Sequence, residues 1–393
     1  MTSEEEALRA VLDKVAVLSS ETVPLLDSLG RFPRRDVFAT RPLPAFDNSA
    51  MDGYAVQAKS CKAGATLRII GEQPAGTERG LTIGRGEAVR IFTGAPLPGG
   101  ADAVVMQEDV VRKEDVIVPQ CDVEPGESIR RRGTDLAEGQ KILTRGEPVT
   151  PQAVALLATQ GLAEIEVSRR PRVAIVSTGD ELAQPGTALR AGQIYESNST
   201  MLQAVGLRLG ATIELAEYCP DELERLTEVL RRGLKSDAVI VSGGVSVGEH
   251  DLVRPALKSL GVEIDFWRVA IKPGKPFLFG RAKQCCIFGL PGNPVSAFIT
   301  FLKFVRPALL KMGGASNESL VLREVTARLA NDVDNPGDRP HYLRGRLEGA
   351  VFTATGRQES HALFGLSRAN AILRVAPRAH FAAGESVSVE LLD

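Results

Sequence analysis

The sequence is poor in the residues that build metal frameworks and disulfide scaffolds. It carries 4 histidines and 5 cysteines in 393 residues. No HExxH pair is present, which argues against a zinc or haem site. The cysteines (Cys61, Cys121, Cys219, Cys285 and Cys286) are odd in number and lack CxxC spacing. They read as reduced thiols of a cytoplasmic protein. There is no basic surplus: the formal charge is -2, so nucleic acid is not an expected partner. No run of 18 apolar residues occurs, so no membrane span is expected. The opening MTSEEEALRA has neither the basic start nor the apolar stretch of a signal peptide.

What is present is globular: 44% hydrophobic and 24% charged residues. A chain of this length exceeds one ordinary core, and roughly two to four domains are expected. Residues 3–18 read as a helix capped by Ser3, with Glu4, Glu5 and Glu6 at the positive end of its dipole. From 49 to 140 short β-type runs (LRIIGE, AVRIFTG, DAVVMQED, DVIVP) are separated by glycine and proline, as in an all-β domain. Pro151 starts a helix that Gly161 ends. That helix is expected to rejoin the N-terminal one, making the β-rich domain an insertion. The domains are therefore 1–48 with 141–170, 49–140, 171–314 and 315–393.

Between 171 and 314 strands alternate with helices. VAIV, ATIELAEY, DAVIV, FWRVAI and CCIFGL read as strands; PDELERLTEVLRRGLK, DLVRPALKSLG and the long NPVSAFITFLKFV read as helices. This pattern predicts a three-layer α/β sandwich with a mostly parallel sheet. From 315 onward β-type segments return as a small, barrel-like β-domain.

In an open α/β sheet, ligands lie beyond the carboxyl ends of the strands. STGDEL (177–182), SGGVSVGEHD (242–251) and GLPGNPVSA (289–297) all emerge there. Gly243, Gly244 and Gly248 let backbone N–H groups converge, and Ser242 and Ser246 add hydroxyls, so the loop can cradle a phosphate. Alone, it is equally a tight strand-to-helix turn. Pro291, Gly292 and Asn293 form a second backbone-lined turn. Asp180, Glu181 and Asp251 make sense around a phosphate if a hard divalent cation such as Mg²⁺ bridges them. Singly each reads as a helix cap, Asp251 most plainly, and Asp237 at the start of its strand is more ambiguous still. Lys272 and Lys275 of AIKPGKPFLFG form a rigid basic turn suited to a small anion. Arg344 and Ser360 offer further donors to the same anion. In the β-rich part, Asp47, Asn48, Asp52, Thr93, Arg130, Arg131, Arg132 and Asp135 lie on polar turns; three consecutive arginines are most simply a solvated surface.

Seven segments in order, PAFDNSAMDGYAV, FTGAPLPGGADAVVMQED, GESIRRRGTD, STGDEL, SGGVSVGEHD, AIKPGKPFLFG and GLPGNPVSAF, make the chain resemble the MoeA family over nearly its whole length. That family is also represented by the E domain of gephyrin and of plant molybdenum insertases. The resemblance implies four domains, a molybdopterin-binding α/β fold, and a homodimer whose site lies between the α/β domain of one subunit and the β-rich domain of the other. It implies Mg²⁺-dependent reaction of molybdopterin adenylate with molybdate, giving molybdenum cofactor and AMP in the cytoplasm. It also implies the molybdopterin adenylyltransferase and molybdoenzyme chaperones as protein partners.

Carried over by motif, Asp52, Thr93 and Asp135 become partner-side functional residues, assisted by Arg130. Glu181 and Asp251 become metal-binding and catalytic residues, and Asp237 a further catalytic acid. Lys272, Lys275, Arg344 and Ser360 become the molybdate pocket. Arg268 departs from the lysine of familiar members, which keeps charge and changes geometry. Two other readings stay open at this point: a non-catalytic clustering scaffold, as in gephyrin, and the adenylyltransferase itself, which would consume ATP. A nucleotide-dependent oxidoreductase is disfavoured, because no GxGxxG opens a helix after a strand.

Overall fold

The computed structural model describes residues 1–245 and 251–392. The chain divides into two compact units. One comprises Met1–Arg35, Arg145–Pro151 and Glu164–Asp393; the other comprises Asp36–Thr144 and Gln152–Ala163.

The first unit is organised by a six-stranded sheet. In chain order its strands are β1 (Arg172–Thr178), β2 (Thr212–Cys219), β3 (Ala238–Ser242), β4 (Glu263–Phe266), β5 (Leu278–Ala282) and β6 (Cys285–Leu290). Their spatial order is β2-β1-β3-β6-β5-β4. The first four run parallel; β5 joins β6, and β4 joins β5, antiparallel. The apolar runs are buried on both faces because alternate residues enter different cores. Ala174, Val176, Val239, Val241 and Ile287 pack with α2 (Leu223–Gly233) and α3 (Val253–Ser259). Val173, Ile175, Ile240 and Phe288 share the opposite core with α1 (Asn198–Arg208), the helix Glu4–Lys14 and the long helix that begins at Pro294. This is the expected three-layer α/β arrangement.

Three local readings are corrected. The N-terminal helix has the capping box of Ser3 and Glu6 but ends at Lys14, because Leu18 donates its N–H to the Met312 carbonyl at 2.9 Å instead of extending the helix. The strand expected in FWRVAI lies earlier, at Glu263–Phe266; the following residues leave the sheet and pair with Thr2. The long helix is broken by a π-turn at Phe301–Val305, just before Pro307. Proline has no N–H to give and crowds the preceding turn, so a wider turn relieves it.

The C-terminal segment forms a closed barrel from Glu324–Leu329, His341–Glu348, Val351–Ala354, Ala371–Val375 and Ser386–Leu391, filled by Leu329, Leu343, Phe352, Leu373 and Val389.

The second unit is built on a mixed six-stranded sheet holding Gly53–Val56, Leu67–Gln73, Glu87–Ile91 and Ala103–Met106 among its strands. Gln152–Ala163 also belongs to this unit, where the Gln160 side chain accepts the N–H groups of Thr40 and Arg41, both at 3.0 Å. No helix among the described residues is long and apolar enough to cross a membrane.

Candidate functional site

The carboxyl ends of β1, β3 and β6 open into a pocket of about 690 Å³. Its wall contains Glu181, Ser242, Gly243, Gly244, Asp251, Pro291, Gly292 and Asn293, all expected from the sequence. Ser246 and Gly248 lie outside the described residues. The glycine at 243 is required by space as well as by its φ of +95°: a Cβ there would stand 2.3 Å from the Thr178 carbonyl oxygen. Bare backbone is thus brought against the neighbouring strand end, and the Gly243 N–H is itself spent on the Leu290 carbonyl at 3.1 Å.

Asn198, at the start of α1, ties two strand ends together. Its Nδ2 donates to Ser242 Oγ at 2.9 Å and to the Gly292 carbonyl at 2.7 Å. Its buried Oδ1 has no partner among the described residues. Glu196 is buried and occupied, accepting from Ser177 Oγ at 3.0 Å and from the Ser199 N–H at 2.6 Å.

The acids divide into used and unused groups. Asp180 accepts the Asp221 N–H at 3.0 Å, and so acts as a turn brace. Asp221, passed over in the sequence as part of a helix start, lines the pocket and accepts from Thr178 Oγ1 at 2.5 Å. Glu181 folds back over Gly179, where an added Cβ would stand 2.7 Å from its carboxylate. Both oxygens of Asp251 are buried with no side-chain partner among the described residues, and the backbone N–H groups of Arg254 and Val253 face them. Burial pushes its carboxyl pKa above the ordinary value. Asp237 does not reach this edge. It precedes β3 at the opposite end, where Arg169 donates to it at 2.6 and 2.7 Å and the Arg172 N–H at 2.8 Å. Burial raises its carboxyl pKa, but these bonds outweigh burial and leave it lowered.

A buried carboxylate sharing a pocket wall with other acids suits a divalent cation that keeps several waters. No group of three or more His, Cys, Asp or Glu side chains able to hold a metal occurs among the described residues.

The expected anion-binding residues gather on the barrel side. The Lys272 N–H donates to the Pro340 carbonyl at 2.9 Å and its carbonyl accepts from the Tyr342 N–H at 2.8 Å, docking the KPGKP turn on the strand His341–Glu348. Both lysines are exposed, while Pro276 at the end of the turn lines the pocket. Arg344 is fully buried. Its Nη2 donates to the Arg357 and Glu359 carbonyls, whereas Nε and Nη1 have no partner among the described residues. Burial lowers its pKa. Ser360, on the loop Arg344 braces, accepts from Asn293 Nδ2 at 2.8 Å and so ties that loop to the pocket.

His341 was missed by sequence reasoning. It is buried with an unpartnered Nε2, and its pKa is lowered to about 4 by burial first, then by Lys272, Arg344 and Arg339. A lone histidine beginning a strand gave no signal; three cations around it do. Arg268 stacks on Trp267 at 4.2 Å.

In the second unit, Asp52 accepts from the Thr93 N–H at 2.7 Å and Oγ1 at 2.9 Å, bonds that hold its carboxyl pKa down. Arg130 sits on a short strand paired with Asn48–Ser49. Arg131 and Arg132 are engaged by Asp47, at 2.7 Å through Nη1 and 2.8 Å through backbone N–H. Asp135 is exposed, its N–H bonded to the Leu43 carbonyl at 3.0 Å.

Comparison with known proteins identifies the family. Residues 2–161 match the model of the MoeA N-terminal region (domain I and II), 174–311 a probable molybdopterin binding domain, and 326–392 the MoeA C-terminal region (domain IV). The chain is 35% identical over 384 residues to the molybdopterin molybdenumtransferase of Haemophilus influenzae, covering 94% of this chain and 93% of that protein. It is 38% identical over 389 residues to molybdopterin molybdenumtransferase 2 of Mycobacterium tuberculosis, covering 95% of each. The crystal structure of the molybdopterin biosynthesis MoeA protein from Pyrococcus horikoshii OT3 superposes with a TM-score of 0.84 at 31% identity, covering 100% of both chains. The chain therefore belongs to the molybdopterin molybdenumtransferase family, enzymes of molybdenum cofactor biosynthesis.

Proposed function

We propose that this chain inserts molybdate into adenylylated molybdopterin, releasing AMP, in a Mg²⁺-dependent reaction. The observation that carries the reading is the buried Arg344 guanidinium: two of its nitrogens lack partners, and its loop is tied through Ser360 and Asn293 to the strand-end pocket. A buried cation with unused donors costs stability unless an anion completes it. Molybdate, with four oxygens, suits that edge together with Lys272, Lys275 and Ser360.

The backbone amides at Gly244 and Gly292, with the Ser242 hydroxyl, would hold the phosphoryl end of the adduct in the pocket, and Asn198 would position Ser242 and Gly292 for it. Glu181 and Asp251 would hold Mg²⁺, which when bound neutralises charge developing on the phosphoanhydride. The chain supplies position: holding oxyanion and pterin together makes metal transfer effectively unimolecular. Asp221, braced by Thr178, joins Glu181 and Asp251 as a pocket acid in this reading.

The active form in this reading is a homodimer, with Asp52, Thr93, Arg130 and Asp135 acting from a second copy. The Asp52–Thr93 bonds would hold that acid ready. An Asp52→Ala chain mixed with a Glu181→Ala chain would then regain activity that neither has alone. Mixtures as inactive as their components would count against shared sites. A cytoplasmic setting is supported by five cysteines without a disulfide, four of them buried.

The direct test is to incubate the protein with molybdopterin adenylate, molybdate and Mg²⁺, and to measure AMP and metal-bound pterin. AMP release coupled to metal uptake is expected. Consumption of ATP with unadenylated molybdopterin would instead identify the adenylyltransferase, and absence of any turnover would leave the scaffold reading.

A further inference from the structure

We infer that His361 is a phosphate-binding residue of the strand-end pocket, supplying a positive charge that the rest of the described wall lacks. The inference rests on the phosphate reading above and names a residue for it. Among the described residues the wall carries four acids (Glu181, Glu196, Asp221 and Asp251) and neither lysine nor arginine. A phosphate monoester entering such a pocket meets like charge on every side except where a cation intervenes. Mg²⁺ on Glu181 and Asp251 offsets part of it. His361 is the one basic side chain of the described wall.

The loop holds this residue in place. The Ser360 carbonyl accepts the Val295 N–H at 3.1 Å, and Ser360 Oγ accepts from Asn293 at 2.8 Å, so the residue just before His361 is fixed at the PGNP turn. Behind it, the Leu363 N–H donates to the His361 carbonyl at 2.8 Å and the Ala362 N–H to the Glu359 carbonyl at 3.1 Å, closing a tight turn. Arg344 Nη2 binds the Arg357 and Glu359 carbonyls and fixes the base of the loop. The backbone is thus anchored while the imidazole stays exposed at the pocket wall. Arg357 and Glu359 lie on its own loop, and Glu181, Glu196, Asp221 and Asp251 are the charged groups that share the pocket wall with it. Anchored exposure is what a ligand-facing side chain needs and what a core histidine does not have. Tied to Asn293 on one side and to Arg344 on the other, the loop would set the phosphate against the molybdate seat.

The experiment measures AMP binding by calorimetry with the intact protein and Mg²⁺. Three variants are compared: His361→Gln keeps a hydrogen bond without charge, His361→Ala removes both, and His361→Lys keeps charge. The same series is run with molybdopterin, whose phosphate monoester offers the same chemistry, to learn which end of the adduct the residue holds. For at least one of the two ligands, Gln and Ala should weaken binding about tenfold and Lys should retain most of it. Thermal midpoints should be unchanged, because the side chain is exposed. Wild-type affinity in Gln and Ala for both ligands overturns the inference, as does Lys binding as weakly as Ala. A wild-type protein that binds neither ligand overturns the phosphate reading together with it.

Discussion

The strand-end pocket and the barrel-side seat around Arg344 handle charge in opposite ways. The pocket wall presents carboxylates and bare backbone amides, with no lysine or arginine among its described residues. The seat gathers Arg344, Lys272 and Arg339 around His341, whose pKa is lowered to about 4 by burial first and by these cations next. The two are joined by the Asn293–Ser360 hydrogen bond of 2.8 Å. A site for one anion would not need both characters. A site for an adduct with a phosphoanhydride at one end and a metal oxyanion at the other would, because acids need a cation between themselves and phosphate, whereas molybdate is met directly by guanidinium and ammonium.

The largest effect should come from the acidic side. Glu181→Ala is expected to reduce AMP release about a hundredfold while leaving molybdate binding unchanged; undiminished AMP release would remove Glu181 from the reaction. Next, Arg344→Ala and Lys272→Ala should each raise the molybdate concentration needed for half-maximal turnover about tenfold, with AMP affinity unchanged. An unchanged molybdate requirement would break the comparison on its cationic side.

The smallest effect sharpens the contrast by using an acid outside both regions. Asp237→Asn should leave turnover per folded molecule intact and lower stability by about 1 kcal/mol, read from urea unfolding. Because the folded carboxyl pKa is depressed, that contribution is complete above the unfolded value of about 4 and is lost as pH falls through the lower folded value. A large loss of turnover in that variant, with the protein still folded, would return Asp237 to the catalytic set.

The sheet was legible because β1, β3 and β6 are buried on both faces and so read as unbroken apolar runs. The displaced strand at FWRVAI was not, because its tail is claimed by Thr2, far away in sequence. In the site, Glu181 and Asp251 were legible because they follow strands. Chain direction alone separates Asp237, which precedes β3, from Asp221, which follows β2 and enters the pocket. His341 and His361 were silent because their meaning lies in the charges around them, which only the folded chain assembles.

The most direct test of the division of labour is to locate molybdenum itself, by anomalous scattering at its absorption edge in crystals soaked with molybdate. The account predicts a peak against the unpartnered edge of Arg344, within reach of Ser360 and Lys272. A peak confined to the acidic strand-end pocket, with the Arg344 side empty, would contradict it.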